Sequence, residues 1–375
     1  MAGALHALIV GVSRYSHLPG GSGGPGPYDY GLSQLSGAAI AAAQIDEWLE
    51  SSAERLSVPL GNRHVLLAPS ERELEVRPEL QEAEKPTLSA FRKAALAWQK
   101  DCASHRDNVA FFYFAGHGVH RSHNDAVLLL EDFARDAGDP LTYSISVNDL
   151  LNGMAPTRQF EDIARTQLWF VDSCQMLPPA FESFEPFSPT RVFRVGLAGF
   201  DDRCAPIYFS ALPGASAYSV PGEGTVFSRV LIECLEGAAG QRKGNESWKV
   251  TVGTLLAAMQ KVMAEDPNGD VQQIWGGGQV SEADRAIVEL DGTPEVRVKL
   301  EIRPPAGAST VRLAITDPDG DPIAVPTPLD PNPFSCRWPA GVYGLGAEPP
   351  HDVSIPHTHH PVVPPVFPWH GEVSP

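Results

Sequence analysis

"VAFFYFAGHGVH", residues 109–120, decides how this chain is read. Val109 to Phe114 are apolar without interruption, the pattern of a strand buried on both faces of a parallel sheet. The run then ends in Ala115-Gly116-His117-Gly118, a titratable imidazole between two residues that have no side chain. In open α/β sheets, ligands bind at the carboxyl ends of the strands. A histidine at such an end raises the question of what it works with.

Outward from this stretch, apolar strands alternate with amphipathic helices. "ALHALIVGV" (4–12), "RHVLLA" (63–68), "TQLWFVDSCQ" (166–175) and "APIYFSAL" (205–212) read as further core strands. "LSQLSGAAIAAAQIDEWLESS" (32–52) places Leu35, Ala38, Ala42, Ile45 and Leu49 at helical spacing. "LSAFRKAALAWQKDCA" (88–103) is a second helix with Thr87 as its N-cap. "DAVLLLEDF" (125–133) is extended, and "SVNDLLNGM" (146–154) is a short helix. Two more helices are read over "TVFSRVLIECLEGA" (225–238) and "TVGTLLAAMQKVMAED" (251–266). Together they predict an α/β sandwich around a mostly parallel sheet.

Near Asp291 the texture changes. "EVRVKLEIRPPAG" (295–307) alternates strictly, "STVRLAITDPDGDPIAV" (309–325) is a hairpin about an Asp/Gly/Pro turn, and "FSCRWPAGVYGLGA" (334–347) adds a strand pair. The last 25 residues carry five histidines and six prolines and read as an extended tail. Three segments are therefore expected: an α/β domain over 1–285, a small all-β module over 291–348, and a tail over 349–375.

Composition narrows the partners. Twenty-eight basic residues against 46 acidic ones leave a net charge of −18, which argues against nucleic acid or an anionic membrane. No apolar run approaches the ~20 residues needed to span a bilayer. The opening segment has no basic leader or cleavage site, so it reads as a strand rather than a signal peptide. Five scattered cysteines without a C-x-x-C pair argue against disulfides and structural zinc, and favour a reducing cytoplasm. "DPDGDP" (317–322) lacks the glycine and glutamate positions of an EF-hand loop and reads as a hairpin turn.

A second strand also ends in a reactive group: Cys174 follows "LWFVDS" (168–173). If the two strands are parallel neighbours, imidazole and thiol meet at one rim. That pair suits a thiolate attacking a carbonyl, with the imidazole as base and then as acid to the leaving amine. Gly118 lets the main chain approach, so the amides of Gly118 and Cys174 are candidate oxyanion donors.

These pieces resemble the caspase-like (clan CD, family C14) cysteine peptidases, most closely their bacterial caspase-family and metacaspase branch. "ALIVGVSRY", "LSGA", "FFYFAGHG", "FVDSC", "YFSALPGASAY" and "TVFSRVLIECL" run in family order over roughly residues 5–280. The 57 positions from residue 117 to residue 174 agree with the ~50-residue His-to-Cys spacing of caspases. The resemblance implies a three-layer caspase–haemoglobinase sandwich, a His117–Cys174 dyad, and an oxyanion hole at Gly118 and Cys174. It also implies that Asp172 lines the primary specificity pocket and selects Arg or Lys. The family's second pocket acid falls at Ala41, so one carboxylate is missing, and Asp201 or Asp202 is a candidate replacement. After Cys174 the family sequence gives way to Gln175-Met176-Leu177-Pro178-Pro179. His120 and His123 read as loop residues.

The expectation is a cytoplasmic cysteine endopeptidase acting on protein or peptide substrates, served by an upstream activating protein in bacterial stress or antiphage defence. No metal or other cofactor is assigned; some metacaspases need calcium, but no ligand set is visible here. The β module resembles PEGA-like small sandwiches. The alternative is an inactive caspase-like scaffold whose β module binds a partner.

Overall fold

The computed structural model describes residues 3–24, 31–122, 125–136, 139, 141–174, 188–194, 196, 199–212, 219–220, 222–267, 272–305, 311–348 and 355–372. In chain order the elements begin with β1 (Leu5–Val12), α1 (Ala38–Ser51), β2 (Leu60–Ala68), α2 (Glu71–Val76), α3 (Leu88–Cys102) and β3 (Val109–Gly116). There follow β4 (Gly118–Ser122), β5 (Asp125–Leu129), β6 (Ser144–Ser146), α4 (Val147–Gly153), β7 (Thr166–Ser173) and β8 (Ala205–Phe209). Next come β9 (Ser219–Val220), β10 (Gly224–Thr225), α5 (Val226–Glu233), β11 (Gly240–Gln241), β12 (Lys249–Thr251), α6 (Val252–Ala264) and β13 (Trp275–Gln279). The series closes with β14 (Ala286–Glu289), β15 (Glu295–Arg303), β16 (Arg312–Thr316), β17 (Phe334–Pro339), β18 (Gly341–Glu348), β19 (Thr358–Val362) and β20 (Val366–Glu372). Two compact units result: Met1–Ile232 with Met263–Arg285, and Glu233–Val262 with Ala286–Pro375.

The first unit is built on a six-stranded sheet in the order β13-β8-β7-β3-β1-β2. Five strands are parallel, and β13 closes one edge antiparallel to β8. Every residue of β1, β3 and β7 is buried, as their unbroken apolar runs require. Alternate side chains go to opposite faces. Leu8, Val10, Phe112, Phe114, Trp169 and Val171 share one core with Phe91, Ala95 and Trp98 of α3. Trp98 fixes this face at both ends: its Nε1–H donates to the His6 carbonyl (2.9 Å), and its ring meets Trp169 edge-on at 5.6 Å. On the opposite face, the rings of Phe111, Phe170 and Tyr208 succeed one another at 5.0 Å, and Gly11 admits the backbone of α1 at Ala38 and Ala39. Helix, sheet and helix give the expected three layers.

The start of α1 is held from a distance. Gly37 precedes it, has φ 121°, and offers no capping side chain. Glu73 of α2, fully buried, supplies the acceptor instead: its Oε1 takes the N–H groups of Gly37 (2.8 Å), Ala39 (3.1 Å) and Ile40 (3.2 Å). The Ser13 hydroxyl donates to the same oxygen (2.9 Å) and accepts from Ala38 and Ala39. A buried carboxylate is tolerated here because a helix N-terminus presents unpaired donors and positive potential.

The second unit contains two three-stranded sheets, β17-β15-β20 and β16-β18-β19, around Val296, Val298, Leu300, Ile302, Tyr343 and Leu345. β15 alternates buried and accessible residues as its sequence predicts. The "DPDGDP" turn closes with Gly320 at φ 91° and a bridge from Thr316 to Pro322. Two expectations are corrected. The strands within 334–347 do not pair with each other; β17 and β18 lie in different sheets, with Trp338 and Tyr343 stacked at 4.9 Å. The segment expected to trail as a separate tail supplies β19 and β20, one edge strand for each sheet. Its prolines fit because an edge strand has amide positions that need no partner. Its buried Val362 and Trp369 belong to the module's core. β13 was not anticipated either: Trp275-Gly276-Gly277-Gly278-Gln279 has no apolar pattern, and it pairs with β8 through its backbone and through the Trp275 ring, stacked on Phe209 at 4.4 Å.

Candidate active site

Two adjacent strands deliver the reactive groups. β3 and β7 pair in parallel from Val109↔Thr166 to Gly116↔Ser173. The next residue on each is His117 and Cys174, so imidazole and thiol leave one rim on backbones about 4.8 Å apart. The chains stay together beyond the sheet. A Cβ added to Gly118 would lie 2.4 Å from Ser173 Oγ and 2.9 Å from the Cys174 carbonyl oxygen. Glycine is required there by close approach rather than by an unusual dihedral.

His117 is buried and held at two points. Its main-chain N–H donates to the Tyr15 hydroxyl oxygen (2.7 Å), and its Nε2–H donates to the Ser33 carbonyl (2.7 Å). A carbonyl only accepts, so the ring proton sits on Nε2 and Nδ1 keeps its lone pair. Burial lowers the His117 pKa from its ordinary value, and the Ser33 contact partly restores it. The neutral, base-competent imidazole is therefore favoured at neutral pH. Tyr15 is itself buried, with its ring 4.9 Å from that of His117 and its phenol pushed up by burial. Cys174 is half-buried, whereas Cys102, Cys204 and Cys234 are fully buried.

Asp172 lies two residues before Cys174 and is almost fully enclosed. Its Oδ2 accepts from the Tyr113 hydroxyl (2.9 Å) and from the Thr225 hydroxyl, while Oδ1 has no hydrogen-bond partner among the described residues. Burial raises its pKa to about 6; the Thr225, Tyr113 and Ser210 hydroxyls limit the rise. Thr225 Oγ1 also accepts the Ser228 N–H (3.0 Å), so the start of α5 is tied to the same carboxyl. A Cβ on the neighbouring Gly224 would lie 3.5 Å from the Ala41 Cα, which brings Ala41 to this corner without a charge.

Asp201 and Asp202 are corrected as pocket acids. They precede Cys204, which bridges to Thr166 at the amino end of β7, whereas Cys174 follows the carboxyl end. Eight residues of strand separate the two ends, roughly 25 Å. Both charges are also spent locally: Asp201 pairs with Arg203 (2.7 Å), and Asp202 with Arg165 (2.5 Å) and Arg106 (3.3 Å). His123 and the altered run Gln175–Pro179 lie outside the described residues. Sequence reasoning missed Ser33, Tyr15, Tyr113 and Thr225. Ser33 acts through its main chain, which leaves no signature. The three hydroxyls were visible only as ordinary strand and loop residues.

A parallel sheet with thiol and imidazole at adjoining strand ends defines a class, the α/β sandwiches with a cysteine–histidine rim. Residues 4–286 match the family model of the caspase domain, peptidase family C14, and the chain belongs to that family of cysteine peptidases. Among solved structures it is similar to a protein from Geobacter sulfurreducens (13% identity, 77% of this chain and 100% of that one, TM-score 0.44). It is also similar to caspase-1 from Spodoptera frugiperda (11% identity, 78% of this chain and 92% of that one, TM-score 0.41). No curated protein matches it. Among the described residues, no helix is long and apolar enough to cross a membrane, and no group of three or more His, Cys, Asp or Glu side chains could hold a metal.

Proposed function

We propose that the chain is a metacaspase-like cysteine endopeptidase that cuts protein substrates after Arg or Lys. Cys174 attacks the peptide carbonyl after giving its proton to Nδ1 of His117. The amides of Gly118 and Cys174 receive the oxyanion, and the imidazolium then protonates the departing amine. Water repeats the sequence on the thioester and regenerates the thiol. No cofactor enters these steps. The observation that carries the reading is the Gly116↔Ser173 register, which makes His117 and Cys174 lateral neighbours.

A basic residue before the cut is supported by Asp172 Oδ1, an acceptor in a nearly dry corner that has no hydrogen-bond partner within bonding distance among the described residues. A buried carboxylate oxygen is costly until a donor meets it, and a guanidinium or ammonium does so with charge as well. We place the enzyme in the cytoplasm, under the control of an upstream activating protein in stress or antiphage defence, by analogy with its family. The test is a peptide-library profile of the purified chain beside Cys174→Ala. Cleavage after Arg or Lys by the native chain alone is the expected result. Acidic preference overturns the Asp172 assignment, and equal cutting by both proteins overturns the mechanism.

A further inference from the structure

We infer that Gln34 is the positioning residue of the dyad, holding both contacts that fix His117; the inference rests on the assignment of His117 as the base. The two anchors come from separate segments: the Ser33 carbonyl on Nε2, and the Tyr15 hydroxyl on the main-chain N–H. Nothing in either residue alone keeps the two anchors in step. Gln34 joins them. Its Oε1 accepts the Tyr15 N–H (2.7 Å), and its Nε2 donates to the carbonyls of Tyr15 (2.9 Å), Pro19 (3.1 Å) and Leu18 (3.4 Å). One side-chain amide thus clamps the loop after β1, while the peptide just before it presents the Ser33 oxygen.

The match of groups is specific. Tyr15 offers one donor and one acceptor, and the separate carbonyl and NH2 groups of one amide side chain answer both, with donors to spare for Pro19 and Leu18. Leu35 N–H donates to the Ser13 carbonyl (2.8 Å), so the segment is pinned on the far side of Gln34 as well. Without the clamp, the Ser33 oxygen is no longer set against Nε2. The imidazole proton is then free to move to Nδ1, where it blocks acceptance from the thiol. Misplacement by about 1 Å in such a constellation costs about 10²-fold in rate.

The experiment compares the full-length chain with Gln34→Ala and Gln34→Glu. The glutamate keeps the acceptor for Tyr15 N–H and loses every donor. The tautomer of His117 is read by ¹⁵N NMR of histidine-labelled protein, with the signal assigned by its loss in His117→Asn. Turnover is measured on the best peptide, and thermal unfolding shows that each variant is folded. The expected result is an Nε2–H tautomer in the native chain and a mixed or Nδ1–H population in both variants. The kcat is expected to fall about 10- to 100-fold with KM nearly unchanged. Folded variants that keep the native tautomer and kcat overturn the inference. The tautomer is readable without turnover, so a chain that cuts no peptide contradicts the proposed function while the Gln34 arm still gives its own answer.

Discussion

At Gly118 the whole site depends on the absence of one carbon atom. Alanine there drives a Cβ against Ser173 and the Cys174 carbonyl, backbone and short side chain that have nowhere flexible to retreat. Gly118→Ala is expected to lower kcat/KM by about 10²-fold or more with the circular dichroism spectrum unchanged. Asp172 carries two pH effects of known sign. Under the proposed function its carboxyl must be ionised to hold a basic side chain, so KM for Arg and Lys peptides is expected to rise as pH falls through about 6. Asp172→Asn should show a high KM at every pH. Its raised pKa also means that the folded state keeps a proton the unfolded chain has released between about 3.8 and about 6. Stability therefore falls as pH rises across that window, by about 3 kcal/mol in all. Asp172→Asn removes this slope, and thermal midpoints at pH 4 and pH 7.5 measure it. His117 and Cys174 drew attention in the sequence because each follows an apolar run, while Asp172 entered only through the resemblance to metacaspases. The carbonyl of Ser33 was not legible, because any residue supplies one.

Among the elements, the entry to α1 is the most exposed to a single change. Glu73 is the acceptor for three backbone amides and three donor groups of Ser13 and Ser70. Glu73→Gln keeps one acceptor oxygen and places an amide donor against N–H groups. A loss of about 2–4 kcal/mol is expected, seen as a lower urea midpoint with an unchanged slope. The sequence reading passed over α2, although Ser70 and Glu73, which form its capping box, stand at the spacing of that motif. The second task of Glu73, at α1, was not readable, because it depends on tertiary contact. β13 escaped as well. Three consecutive glycines give no strand pattern, and the one side chain that packs its pairing with β8, Trp275 on Phe209, becomes visible only in the fold.

Over the whole molecule, the parallel sheet was legible because buried strands have no freedom to be polar, and the β module because half-buried strands alternate. The sheet membership of β17 to β20 was not, since strand pairing across 334–372 depends on contacts far apart in sequence. Proline and histidine content made residues 349–375 read as an extended tail. The structure instead places Val362 and Trp369 in the core of the second unit. Truncation after residue 354 is expected to uncover β15 and β18 as open edges and to abolish the unfolding transition of that unit. Differential scanning calorimetry checks this; a truncated chain with both transitions intact would show the tail to be an appendage.

The central claim is that His117 and Cys174 work as one unit because β3 and β7 end in register. A peptidyl acyloxymethyl ketone carrying Arg, followed by mass spectrometry of the labelled chain, tests it most directly. The account expects label on Cys174, none on Cys102, Cys204, Cys234 or Cys336, and at least a 100-fold slower reaction in His117→Ala. Label spread over several cysteines, or an equal rate on Cys174 without the imidazole, contradicts it.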